Sequence, residues 1–315
     1  MTTITAKSIL ASAHADDPKK RIDTLLLRYP RWIHAEFMTH RVFSRNAASS
    51  RAIPVEKLIQ SVLDDPAVPL FWGKNQKGMQ ATEENSTPVA FDGGDGHMLE
   101  CPNVEAWLHA RDQAIHMVEG FAAAGYHKQI VNRLLEPFSH ITVVVTGTQW
   151  SNFLALRDHP DAEPHIQMLA REVREALVRA QVQFLNPGDW HLPFVQSTDL
   201  DWDTQCTEGD TPKSWCVTPI EQQIKLSVAR CASTSYKTVD GFDMTLERAV
   251  ELHDKLVAST PLHASPCEHQ AWMDHRVSHG FQYDTEMVSW KNAHLSGNLG
   301  GGFVQYRKTL SGECL

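Results

Sequence analysis

The stretch "THRVFSRNAASSR", residues 39–51, gathers three arginines, one histidine, three serines and one asparagine into thirteen residues. Arginine's planar fork grips phosphate or carboxylate through two parallel hydrogen bonds, and a nearby serine or asparagine completes the oxygen shell without adding charge. Arg41, Arg45 and Arg51, interleaved with Ser44, Asn46, Ser49 and Ser50, supply that chemistry. The whole chain carries a net charge of −9, which argues against a nucleic acid polymer as partner, because the long-range field repels a polyanion. A small anionic ligand in a locally basic pocket is compatible with it, since short-range contacts dominate a screened distant field.

Two further segments carry candidate chemistry. "NRLLEPFSHITVVVTGTQWSNFLALR" contains Arg133, Asn152 and Arg157, and "SVARCASTSY" is followed, after a helical stretch, by "PLHASPCEHQ" with His263, Ser265, Pro266, Glu268 and His269. No metal site is expected: His263 and His269 flank Cys267, and His275 and His279 are four apart, but further ligands at a recognisable spacing are missing. The cysteines, Cys101, Cys206, Cys216, Cys231, Cys267 and Cys314, are scattered without a paired C-x-x-C, which suits reduced thiols.

Together these segments resemble the flavin-dependent thymidylate synthase family. His40, Arg41, Ser49 and Arg51 match its Arg-His-Arg…Ser-x-Arg signature in register, the second segment matches its Arg-x-x-x-Pro and Asn-Phe-Leu-x-Leu-Arg elements, and the third its Ala-Arg-x-Ser segment and His-x-Thr-Pro-x-Glu-His turn, with Ser265 in place of threonine. In the family the third segment precedes the arginine signature. Here it follows by some two hundred residues, as in a circular permutation. Thr39 stands where the family has its first arginine, and Ala47 at a usually acidic position.

The resemblance implies an α+β fold with a mixed sheet and flanking helices, FAD as cofactor, and a homotetramer whose active sites are shared between subunits. It implies conversion of dUMP to dTMP with methylenetetrahydrofolate as carbon donor and NADPH as reductant. By position, His40, Arg41, Asn46, Asn152, His263 and Ser265 would hold FAD. Glu36, Ser49, Ser50, Arg51, Arg133 and Arg157 would hold the nucleotide, with Arg157 polarising the uracil ring. Two other functions stay open: a pyrimidine nucleotide C5 hydroxymethylase built on the same flavin and folate apparatus, and a non-catalytic nucleotide-binding protein. Near the C-terminus "GNLGGGFVQYRKTL" places Arg307 after three glycines that would let the backbone run close to a ligand. Arg307 is expected to enter the active site and replace the charge absent at Thr39, and residues 303–315 to be dispensable for folding.

The elements that must position these residues are read from periodicity. Residues 3–10 and 22–28 are predicted strands, and Pro30 is expected to open a helix over 31–43. A helix from about Pro54 to Leu63 carries Val55, Leu58, Ile59 and Val62 on one face. Residues 65–102, rich in Gly, Pro, Asn and Asp, predict a long surface excursion. Asn103 is a predicted N-cap for a helix over 104–123 with Val104, Trp107, Ala114 and Val118 inward. "SHITVVVTG" predicts a strand, and "PHIQMLAREVREALVRA" an amphipathic helix with Ile166, Leu169, Val173 and Leu177 on its stripe. Residues 185–220 are expected to be loop-rich, with another helix at about 245–258. The nine tryptophans are expected mainly in the core, with Trp32 and Trp150 near enough to the motifs to stack on a ring. The chain is expected to be one domain of 315 residues. With no long apolar run and no basic-then-apolar start, a cytosolic location without a membrane is expected.

Overall fold

The computed structural model describes residues 2–93, 96–199, 218–235, 244–283 and 285–313. In chain order the strands are β1 (Thr5–His14), β2 (Asp17–Pro30), β3 (Ser44–Ala47), β4 (Val89–Asp92), β5 (Met98–Cys101), β6 (His140–Gly147), β7 (Val182–Leu185), β8 (Trp190–His191), β9 (Ala271–Met273), β10 (Arg276–Gln282), β11 (Thr285–Trp290) and β12 (Phe303–Gln305). The α-helices are α1 (His34–Phe37), α2 (Val55–Asp64), α3 (Asn103–Ala123), α4 (Lys128–Val131), α5 (Ser151–Arg157), α6 (Pro164–Arg179), α7 (Ile220–Ala232) and α8 (Leu246–Val257). The architecture is α+β around a mixed sheet ordered β3-β6-β2-β1-β7, in which only the β1–β7 pair is parallel.

The two central strands explain why the sheet is covered on both faces. Leu25, Leu26 and Leu27 of β2 lie opposite Val145, Val144 and Val143 of β6, and alternation sends them to opposite sides. Leu25, Leu27, Tyr29, Val143 and Val145 meet the helical layer, where α6 contributes Ile166, Leu169 and Val173 and α5 contributes Phe153. Leu26 and Val144 meet Phe194 and Cys231 on the other side. Each fully buried aliphatic side chain of this kind contributes about 1.5–3 kcal/mol. Helix α6 starts sharply because Pro164 opens it and the Glu163 carboxylate accepts the His165 and Ile166 amides at 2.9 and 3.1 Å.

Several expectations are corrected. The β1–β2 hairpin runs well past its predicted ends; in β1 the polar residues Ser12 and His14 beyond that end are buried with hydrogen-bond partners rather than left in a loop. The expected helix over 31–43 stops at Phe37 after one 3-10 turn and one α turn. Continuing it would keep Phe43 from the core, where its ring lies 6.0 Å from Phe37 and 4.5 Å from Trp150. Val104 is exposed, and Asn103 is the first helical residue rather than the cap. The 65–102 excursion contains the β4–β5 hairpin. Trp150 is buried against Phe43, and Trp32 is edge-on to Trp107 and His165, so both serve the core.

A second layer holds a small sheet ordered β12-β9-β8, the α7–α8 pair and the β10–β11 hairpin. Phe303, Val304 and Gln305 of β12 are buried, so residues 303–315 include an integral strand rather than a dispensable tail. The glycines before it serve a close pass: a Cβ on Gly301 would lie 2.7 Å from Trp290. A satellite core of Leu58, Val62, Ile115, Val118, Val131, Leu135 and Phe138 joins α2, α3, α4 and the 3-10 turn Asn132–Phe138. Cys101, Cys231 and Cys267 are free thiols; Cys206, Cys216 and Cys314 lie outside the described residues, as do residues 200–217 of the expected loop-rich segment. Among the described residues no helix is long and apolar enough to cross a membrane, and no group of three or more His, Cys, Asp or Glu is placed to hold a metal.

Candidate functional site

The arginine-rich segment is an edge strand followed by a loop, and strand alternation divides its side chains. Ser44 and Asn46 point to one face and Arg45 to the other. Asn46 Nδ2 donates to the Cys231 carbonyl at 2.6 Å, and its Oδ1 accepts from the Ser265 hydroxyl at 3.5 Å. Those partners come from the end of α7 and from the 3-10 turn Ser265–Glu268. On the other face Arg45 Nη1 donates to the carbonyls of Met38 and His40, each at 3.1 Å.

After β3 the chain is stapled down. Asn132 Nδ2 donates to the carbonyls of Ser50 and Ile53 at 2.7 and 2.9 Å, and the Ser50 hydroxyl donates to Glu136 at 2.7 Å. Ser50 is thereby buried as an anchor, and its neighbours are presented outward: Ser49 is half-buried and Arg51 exposed. Arg133 is exposed and pairs with the same Glu136 carboxylate at 3.1 Å.

Asn46, Ser49, Arg51, His263 and Ser265 line one cavity of about 570 Å³. Its remaining walls come from His127, Lys128 and Gln129 and from an apolar side made by Ala232, Leu252, Leu256 and Pro266. Sequence reasoning missed the 127–129 wall, although the "HK" pair just before Asn132-Arg133 was a visible basic signal.

Glu36, His40 and Arg157 form a second cluster. Arg157 Nε donates to His40 Nε2 at 3.0 Å, Nη1 reaches Glu36 at 3.4 Å and Nη2 reaches Thr39 Oγ1 at 3.4 Å. Accepting on Nε2 requires neutral His40 with its proton on Nδ1. Burial, then the charges of Arg157 and Arg45, hold its pKa below the usual histidine range. Arg41 and Asn152 are exposed and line neither the cavity nor this cluster. Arg307 is engaged by two carboxylates, Glu268 and, at 3.0 Å, Glu313, rather than placed beside Thr39.

Two hydrogen-bonded networks hold the pieces together. Gln305 Nε2 donates its two hydrogens to Asn298 Oδ1 at 2.7 Å and the Glu268 carbonyl at 2.9 Å, with Ser44 Oγ a further 3.3 Å neighbour sharing one of them. One C-terminal side chain thus ties the arginine-rich segment to the 263–269 turn. Beneath the sheet a chain of contacts runs Gln183–Ser12 (3.0 Å), Ser12–His191 (2.7 Å), His191–Thr24 (2.9 Å), Thr24–Thr146 (2.6 Å) and Thr146–His269 (2.9 Å). The direction in which each hydroxyl both donates and accepts starts at the Gln183 amide and leaves the His269 proton on Nε2. Burial pushes both histidines down to about 3, so they are neutral.

No family model matches the chain, and no curated protein matches it. Among solved structures it is similar to the UMP/dUMP methylase PolB from Streptomyces cacaoi bound with 5-Br UMP, at 17% identity and a TM-score of 0.41 over 57% of this chain and 90% of that one. The same methylase bound with 5-Br dUMP gives 16%, 0.40, 56% and 91%. The flavin-dependent thymidylate synthase ThyX from Helicobacter pylori, complexed with FAD and dUMP, gives 16%, 0.33, 50% and 68%.

Proposed function

We propose that this chain is a flavin-dependent enzyme that methylates C5 of a uracil mononucleotide, converting dUMP to dTMP. The observation that carries this reading is a convergence: Asn46 and Ser265, 219 residues apart in the chain, touch through their side chains and line one cavity. Both belong to segments that resemble the flavin-dependent thymidylate synthases, and they meet in space although far apart in the chain.

The residues present fit a flavin dinucleotide. A cavity of about 570 Å³ lies within the usual range for cofactor sites. It joins hydroxyl, amide, imidazole and guanidinium groups on one side to apolar side chains on the other. His40, Arg41, Asn46, Asn152, His263 and Ser265 are the residues proposed to hold FAD, which supplies hydride chemistry when bound. Glu36, Ser49, Arg51, Arg133 and Arg157 are proposed to hold dUMP, with Ser50 anchoring their loop and Arg307 fixing Glu268. Arg157 stabilises the negative charge that develops at the N3/O4 edge as C5 becomes nucleophilic. The separation of the cavity from the Glu36–His40–Arg157 cluster supports the proposal of a homotetramer in which subunits share sites; a cytoplasmic location is proposed with it.

The overall change transfers the methylene carbon of methylenetetrahydrofolate to C5 and adds a hydride and a proton, with NADPH oxidised to NADP+. Incubation with FAD, dUMP, methylenetetrahydrofolate and NADPH under anaerobic conditions is expected to bleach the flavin absorbance and yield dTMP. A hydroxymethyl product, or turnover of dCMP in place of dUMP, would replace the assigned reaction. A protein that takes up no flavin would remove it.

A further inference from the structure

The candidate cavity is lined by two cationic side chains, Arg51 and Lys128, and by no carboxylate among the described residues. Lys128 Nζ donates to the Ala52 carbonyl at 2.8 Å, which draws the ammonium to the backbone next to Arg51. Both side chains line the cavity, and among the described residues no aspartate or glutamate does. Arg51 makes no hydrogen bond or ion pair among the described residues, and the Lys128 ammonium keeps two of its three donors, on the ordinary inventory of about three N–H groups. Like charges lining one cavity repel, and no carboxylate among its described lining residues offsets the cost. In a chain of net charge −9, such a pair is arranged for an anion of more than one charge.

We propose that Lys128, with His127 beside it, completes with Arg51 and Ser49 a clamp for the phosphate of a nucleotide ligand. The proposal rests on the enzymatic reading above and adds a residue to it. Two positive charges match a phosphate dianion better than a carboxylate, and the apolar wall of Leu252, Leu256 and Pro266 suits the ring system that a nucleotide carries behind its phosphate. The phosphate belongs either to the mononucleotide or to the flavin dinucleotide.

Lys128→Gln keeps a donor for the Ala52 carbonyl and removes the charge. Dissociation constants are measured by calorimetry for dUMP and deoxyuridine, and for FAD and riboflavin. Loss of a charge-assisted hydrogen bond of about 1.5–3 kcal/mol corresponds to roughly 10- to 150-fold weaker binding. That loss is expected for one phosphate-bearing ligand, with its phosphate-free counterpart unaffected and Lys128→Arg restoring affinity. A loss confined to dUMP assigns the mononucleotide phosphate, and one confined to FAD assigns the diphosphate. Unchanged affinities, or equal losses with and without phosphate, would overturn the clamp. Titration with inorganic pyrophosphate separates this proposal from the enzymatic one. Binding that Lys128→Gln abolishes supports the clamp even if no dTMP forms, and a wild-type protein that binds none of dUMP, FAD or pyrophosphate refutes it.

Discussion

Lowering the pH from 6.5 to 5 is expected to remove roughly 3 kcal/mol of folding stability through two histidines alone. His191 and His269 are completely buried, and burial holds each at about 3. Unfolding releases each to an ordinary value of about 6.5, so below that pH the unfolded chain binds a proton that the folded chain refuses. Their stabilisation is therefore full well above pH 6.5 and falls as the pH drops toward their folded values, by up to about 1.4 kcal/mol per unit for each group. His34 and His140, held at about 4, act in the same direction. Asp23, raised above its usual range by burial, acts oppositely, but only as the pH falls through that raised value. Against a typical stability of about 5–15 kcal/mol, the loss brings the chain close to unfolding. Urea midpoints at pH 7, 6 and 5 at fixed ionic strength measure it. A midpoint that stays constant would mean that these histidines are solvated, and that the polar row beneath the sheet does not exist as described.

Arg157→Lys is expected to lower turnover on the order of 100- to 1,000-fold, the usual cost of losing one well-placed electrostatic donor. The guanidinium serves three acceptors at once, His40, Glu36 and Thr39, and a point ammonium cannot reproduce that fork. Folding should be nearly unaffected, because half-exposed ion pairs such as Arg157–Glu36 contribute about 0–1 kcal/mol. Measuring the turnover number, nucleotide affinity and thermal midpoint together separates the possibilities. Near-normal turnover would show that the base is polarised elsewhere. A large fall in the thermal midpoint would show that Arg157 is a structural tie.

The central layer was legible because its residues do one thing each. The run of valines in β6 and the stripe of α6 have a single burial pattern, and the structure places both as their periodicity required. Helix α7 was not read as a helix because it is covered on two sides. Ile224 and Val228 pack with Leu192 and Cys267, while Leu226 and Ala229 face α8, so no single apolar stripe appears. Between them sit Ser227, bonded to the Pro193 carbonyl, and Arg230, paired with Asp199 and bonded to the Phe194 carbonyl. Polar residues with such distant partners look like solvent-facing residues in a sequence. The anion-binding character of residues 39–51 was legible from residue type, whereas its division by strand alternation was not. Nor was the contribution of Lys128, which depends on a contact with Ala52 across 76 residues.

Hydrogen exchange with and without FAD and dUMP tests most directly whether segments distant in the chain build one ligand site. The expected result is slowed exchange, on adding ligand, in residues 44–52, 127–133 and 263–269 together, with the β10–β11 hairpin unchanged. Protection in only one of these segments, or none in any of them at saturating ligand, would contradict the account.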